Sequence, residues 1–164
     1  MNNLFLGLAT LWPLGLRLPA PGTFGSLAGL VVFGSLVMLG GMSPLLVSFL
    51  FLPLFLLGIP LCTKAEKILG KSDPGEIIWD EFTVIPFVYL SIPDKFSAEN
   101  QIESFAWLLA GFLIFRIFDI LKPLGIKRLQ ALSGGMGVMM DDFVAALYSC
   151  VALFAVKTFS LSFF

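Results

Sequence analysis

Two adjacent acid pairs, Asp80–Glu81 and Asp141–Asp142, and the triplet Arg116, Asp119 and Lys122 stand against strongly apolar sequence. Ionised side chains beside membrane-grade hydrophobicity are costly, and their default reading is functional. One Arg and one Lys are too few to neutralise so many acids. Hard oxygen donors suit Mg2+, which typically takes one or two carboxylates together with water and phosphate oxygens. Such an ion polarises a phosphoryl group and helps generate a nucleophilic water. Arg116 and Lys122 would then grip phosphate oxygens, and Gly134 and Gly135 of SGGMG would let backbone N–H groups approach a phosphate. The plain alternative is an ion-pair network closing a helix bundle. Arg116 and Asp119, three apart on one helix face, fit that alternative, but pairing leaves acids over in the two adjacent pairs.

The elements that must position these groups follow from composition. The chain has 164 residues, of which 58% are hydrophobic and 13% charged, and its mean hydropathy is +0.98. Soluble domains carry about 45–50% apolar and about 25% charged residues. The expectation is an all-α, integral membrane helical bundle of about five hydrophobic helices plus short interfacial helices, forming a single domain over residues 1–164. A net charge of −1 gives no reason to expect a nucleic-acid partner. Histidine is absent, which excludes histidine general bases, phosphohistidine and histidine-ligated zinc. Cys62 and Cys150 have no metal-like or disulfide-like spacing and read as apolar packing residues.

Met1 to Leu11 is apolar but lacks a basic start and an A-x-A-like cleavage site, so a cleaved signal peptide is a poor reading. In LRLPAPGTFGSLAGL, Pro19 and Pro21 break any helix, and a long helix is expected from about Thr23 to Ser26 onward. Small residues there leave backbone N–H groups open to an anion. Thr23 and Ser26 of PGTFGS thus read either as part of a phosphate cradle or as a helix cap, with Gly25 and Gly29 packing closely.

No charged residue lies between Arg17 and Lys64, which leaves room for two spans of about 20 residues. They are expected near 23–39 and 45–61, with Pro53 kinking the second. Lys64, Glu66, Lys67 and Lys71 suggest a short interfacial segment. A turn at Gly70–Gly75 then leads to a third helix opening with Glu76, Asp80 and Glu81. Residues 82–93 are uncharged, but 12 residues make only about 18 Å of helix. To cross about 30 Å of hydrocarbon, this helix must carry Asp80 and Glu81 to the boundary. Spans four and five are expected near 104–121 and 143–159, with Asp141 and Asp142 opening the fifth and the terminal LSFF interfacial.

The basic loops Lys64–Lys71 and Lys122–Arg128 contrast with the stretch holding Asp94, Lys95, Glu99 and Glu103. Five spans with the N-terminus inside place the basic loops in the cytoplasm. The same topology gathers Asp80, Glu81, Arg116, Asp119, Asp141 and Asp142 on that side at similar depth.

PGTFGSLAGL, DPGEIIWDEF, FRIFDILKP and GGMGVMMDD, in this order and spacing, resemble the phosphatidylglycerophosphatase A family from about Pro21 to Ala146. The resemblance implies a helical enzyme of the bacterial cytoplasmic (inner) membrane, multi-pass, with its active site facing the cytoplasm. It would use Mg2+ to remove the terminal phosphate of phosphatidylglycerophosphate. Carried over by position, Asp73, Asp80 and Glu81 match the acidic part of the second motif, Arg116, Asp119 and Lys122 the third, and Asp141 and Asp142 the fourth. Asp80, Glu81, Asp119, Asp141 and Asp142 are then the expected catalytic groups, and Asp73, Asp80, Glu81, Asp141 and Asp142 the expected metal ligands. Val84, Gly125 and Ala146 depart from the family's usual Gly, Pro and Gly. The alternative from another class is a small ion-coupled transporter or channel subunit, which predicts charges spread through the membrane depth. A lipid phosphotransferase fits less well, because its D-G…A-R…G…D…D pattern is missing.

Overall fold

The computed structural model describes residues 2–96 and 100–162. Glu99 and the terminal Phe163 and Phe164, placed above in a polar loop and at an interface, lie outside them. The helices are α1 (Asn2–Ala9), α2 (Leu14–Arg17), α3 (Pro21–Gly34), α4 (Pro44–Leu69), α5 (Trp79–Val88), α6 (Gln101–Leu121), α7 (Ile126–Leu129) and α8 (Gly135–Ser162). A π-helical turn, Ser35–Leu39, continues α3, and a short 3-10 turn, Pro93–Lys95, precedes α6. No strand occurs among the described residues, and the expected all-α bundle is the architecture observed.

Among the described residues, four segments are long and apolar enough to cross a membrane: Pro21–Leu39, Pro44–Leu69, Gln101–Leu121 and Gly135–Phe159. Their outward faces carry large apolar side chains, among them Phe49 (69% exposed), Leu57 (62%), Ile120 (68%) and Val151 (68%). An exposed apolar surface of this extent suits hydrocarbon as its solvent.

The fifth hydrophobic helix, α5, is different. It has 10 residues, about 15 Å at 1.5 Å per residue, or half a hydrocarbon core. Apart from Thr83 it is apolar all round after Glu81, and such a helix belongs inside a bundle. Thr83 to Val88 are buried, and α5 packs against α3, α4, α6 and α8. The helix gives way to irregular chain at Tyr89, before Pro93. The backbone there bonds locally, Ile92 N–H to the Tyr89 carbonyl at 3.2 Å, and the Ser91 hydroxyl donates to the Cys150 carbonyl at 2.8 Å. Non-helical chain at membrane depth is tolerated where protein surrounds it. Pro93 and Phe96 reach the α3–α4 connection, sharing a cavity with Gly41 and Pro44. The third crossing is therefore a half-length helix plus an irregular stretch, buried at Tyr89 and Ile92 and half-buried between them.

Other boundaries also differ from expectation. α4 runs unbroken through Lys64 and Lys67 to a left-handed Gly70 (φ 67°), so the basic stretch extends the span and is not a separate interfacial piece. Pro53 and Pro60 both lie inside this helix. α3 starts at Pro21, which makes PGTFGS its first two turns. α8 starts at Gly135, so Asp141 and Asp142 lie nearly two turns inside the helix. Glu76 precedes α5 and pairs with Lys71 at 2.9 Å; that bond to the ammonium holds its carboxyl below the usual range.

Helix α3 lies close against α5 and the residue before it. A Cβ on Gly25 would fall 2.8 Å from Ile78 Cβ, and one on Gly29 would fall 2.5 Å from the Phe82 carbonyl oxygen. Tyr89 then stacks on Phe33 with ring centroids 4.7 Å apart and donates its hydroxyl to the Leu108 carbonyl at 2.7 Å, joining α3 to α6. Gly29→Leu must push α3 off α5, at a cost of about 1–3 kcal/mol. Its apparent unfolding midpoint in detergent should fall by several degrees. Gly75→Ala, which meets nothing within 4 Å, should leave the midpoint unchanged; equal midpoints for the two variants would refute the close approach.

Candidate active site

Four helices contribute to one end of the bundle. The first turn of α5 supplies Asp80 and Glu81, the last two turns of α6 supply Arg116 and Asp119, and Lys122 caps that helix. The second turn of α8 supplies Asp141 and Asp142, and the start of α3 supplies Gly22 and Ser26. One carboxylate oxygen from each of Asp80, Glu81 and Asp142 lies within 4.8 Å of the other two. Asp80, Asp119, Asp141 and Asp142 are buried, at 6%, 7%, 1% and 2% exposure. Two unit charges about 4 Å apart interact by about 4 kcal/mol at an effective dielectric of about 20. Three ionised carboxylates at this spacing therefore demand a counter-charge.

The two side-chain cations do not meet that demand. Arg116 pairs with Asp119 and donates to the Ser26 hydroxyl at 3.1 Å, while Ser26 donates in turn to the Gly22 carbonyl at 2.8 Å. Lys122 pairs with Asp141 and reaches Asp119 and Asp142 at 3.5 Å each. Burial works against the Lys122 charge, but the carboxylates of Asp142 and Asp141 outweigh it and hold its pKa above the usual lysine range. Asp80 Oδ1, Glu81 Oε2, Asp142 Oδ2 and Arg116 Nε are buried without a hydrogen-bond partner. Buried polar atoms are normally satisfied, so three acceptors and a donor left open in one place mark a site shaped for something more.

Local backbone supports the arrangement. A Cβ on Gly22 would sit 2.2 Å from Glu81 Oε1, so only glycine lets the carboxylate rest on the first turn of α3. Unbonded N–H groups and the helix dipole favour an anion at such a turn. Thr23 is half-buried on the same turn. Lys122 adopts a left-handed conformation (φ 43°), which costs a non-glycine residue about 1–2 kcal/mol. Strain of this kind collects at functional sites.

The structure sorts the residues expected from sequence. Asp80, Glu81 and Asp142 come together, Asp141 belongs to Lys122, and Asp119 orients Arg116. Asp73 does not join them. It is exposed, its N–H donates to Glu66 Oε1 at 2.8 Å, and its carboxylate accepts from Gln130 at 2.7 Å. Gly134 and Gly135 pack against α4 instead of opening toward the acids. Gly135 N–H donates to Thr63 Oγ1 at 2.8 Å, and a Cβ there would strike the Ile59 carbonyl oxygen at 2.2 Å. Asp141 stands six residues further on, about 9 Å along the axis. Cys62 packs beside Met139, as an apolar residue would. Thr63 and Gln130 escaped the sequence reading and carry no signal in it; Gly22 reads as part of the PGTFGS cradle, and what it meets there is Glu81.

The phosphatidylglycerophosphatase A family model matches residues 7–157. A Haemophilus influenzae protein named phosphatidylglycerophosphatase A is 42% identical over 90% of this chain and 85% of its own. An Escherichia coli protein of the same name is 34% identical over 94% of this chain and 84% of its own. A Bacteroides thetaiotaomicron protein, provisionally named a phosphatidylinositol-3-phosphatase, is 34% identical over 82% and 81%. No solved structure matches the chain. With the family model covering nearly its whole length and relatives of that name this similar, the chain belongs to the phosphatidylglycerophosphatase A family.

Proposed function

We propose that the chain is a Mg2+-dependent lipid phosphatase that hydrolyses the terminal phosphomonoester of phosphatidylglycerophosphate to phosphatidylglycerol and phosphate, at the cytoplasmic face of a bacterial inner membrane. The observation that carries this reading is the trio of buried Asp80 and Asp142 with half-buried Glu81, each with a buried, open carboxylate oxygen beside Arg116 and Lys122. The trio fits a hard divalent cation, and these three residues would hold it. Such a cation, when bound, polarises the phosphoryl group and lowers the pKa of a coordinated water. Asp141 acts through Lys122, and Asp119 through Arg116.

The chain's own groups account for binding. Arg116, held between Asp119 and Ser26, keeps an unpaired Nε for a phosphate oxygen, and Lys122 provides an ammonium close by. In hydrolysis a P–O bond forms to water, the P–O bond to glycerol breaks, and the glycerol oxygen leaves with a proton. The family's membership supports a lipid phosphomonoester as substrate. The name of the Bacteroides relative makes phosphatidylinositol 3-phosphate the comparison substrate for headgroup choice. A transporter reading predicts buried charge spread through the bilayer depth; the buried acids among the described residues all belong to this one cluster.

Phosphate release by the purified protein should cease with chelator and return with Mg2+; release indifferent to chelator would remove the metal. Asp80→Asn and Asp142→Asn should lower release by roughly 100-fold. Each relieves like-charge repulsion, so their metal-free unfolding midpoints should equal or exceed that of the unaltered chain. Mg2+ should raise the midpoint of the unaltered chain and leave both variants unmoved. Unimpaired variants would show that the chemistry happens elsewhere. For orientation, a cysteine at exposed Lys127 should react with a membrane-impermeant maleimide in inverted vesicles and not in intact spheroplasts; the reverse pattern would turn the topology over.

A further inference from the structure

Beyond the acid cluster, α3 and α6 part along their lipid-facing sides and leave an apolar groove of about 440 Å³. Its near end lies beside the cluster. Leu27 follows Ser26, the hydroxyl bonded to Arg116, and Phe112 lies one turn before Arg116 on the same face of α6. It continues past Leu30, Gly34 and Leu108 to Met38 and Leu39. From Leu27 to Leu39 is about 18 Å at about 1.5 Å per residue, a little more than one leaflet of a hydrocarbon core about 30 Å thick.

Three features hold the groove open. Tyr89 is wedged between the helices, stacked on Phe33 and lying so close to α6 that a Cβ on Gly111 would come within 2.3 Å of its ring. Gly34 removes a side chain at mid-groove, where a Cβ would stand 3.2 Å from Leu108 Cδ1. The π-helical turn Ser35–Leu39 then widens α3, a device that recurs at functional sites. Ser35 directs its hydroxyl to its own helix, donating to the Val31 carbonyl at 2.7 Å, and so shows the groove no unpaired polar group.

We infer that this groove seats an acyl chain of the lipid whose phosphate is held at Arg116, so that the enzyme draws on the substrate's tail as well as its headgroup. The inference rests on the lipid-phosphatase reading. Its occupant follows from continuity: the groove starts one residue beyond Ser26 and one turn before Arg116 and runs for a leaflet's length, which matches one molecule carrying both a phosphate and an apolar tail. A lipid that merely coats the outer surface has no reason to be registered with Ser26 and Arg116.

The test compares phosphatidylglycerophosphate bearing two 16-carbon chains with the same lipid bearing two 6-carbon chains, in detergent with Mg2+. Filling the groove with Gly34→Leu, and separately with Ser35→Trp, should lower the ratio of kcat/KM on the long to that on the short substrate at least tenfold. An unchanged ratio in both variants would overturn the proposal. A second readout does not require turnover. A long-chain analogue with a photoactivatable diazirine mid-chain should label residues 27–39 and 105–112 in preference to the outer faces of α4 and α8. Even labelling of all lipid-facing helices would also overturn it. If the unaltered chain cleaves neither substrate, the phosphatase reading itself fails, and the labelling pattern still decides the groove.

Discussion

Like charges confined in an apolar bundle repel one another, and the end of this molecule that carries Asp80, Glu81 and Asp142 is built around that repulsion. Water screens little there: Asp80 and Asp142 are nearly sealed from it and Glu81 is half-buried. The two cations at hand are already engaged, Arg116 with Asp119 and Ser26, Lys122 with Asp141. Buried ion pairs of this kind give little net stability, because desolvation offsets most of the attraction. A bundle meant only to be stable would do as well with apolar residues in these places, so the cost argues for a binding role.

The same bonds that manage charge also join helices. Arg116 links α6 to α3 through Ser26, and Lys122 links the end of α6 to α8 through Asp141. Between them stands α5, short, buried on all sides after its first turn, and approached by α3 at Gly25 and Gly29. Because α5 is only half a span, its first turn can sit at the depth of Arg116 while its far end continues as partly buried irregular chain. The acids are thus mounted on helices whose spacing is set by backbone-to-backbone contact, the condition for a site held in fixed geometry.

Much of this architecture is legible in the order of the residues. Long uncharged runs have one solution in a bilayer, so the four spanning helices can be read from residue counts. The meeting of the acids follows once alternate crossings put their helix ends on one side. Element ends are less legible. α4 continues to Leu69 and α8 begins at Gly135 because helical hydrogen bonding does not stop where hydrophobicity does. A glycine needed for close approach looks the same in sequence whatever it approaches. Gly134 and Gly135 therefore read as a phosphate loop and proved to be where α8 presses on Thr63 and Ile59. Asp73 shares a motif with Asp80, yet a turn of positive φ sends it to Gln130.

By itself the sequence determined the solvent, the helical class, the gathering of acids at one end and the family whose motifs they form, because each depends only on residue type and on spacing along the chain. Which acids face one another was decided by the tertiary structure alone. The division of five carboxylates into an open trio, a partner for Arg116 and a partner for Lys122 depends on helix rotation and separation to within a side chain's reach. Those quantities are set by contacts between distant residues, such as Gly29 against Phe82, Gly22 beneath Glu81 and Tyr89 between Phe33 and Leu108.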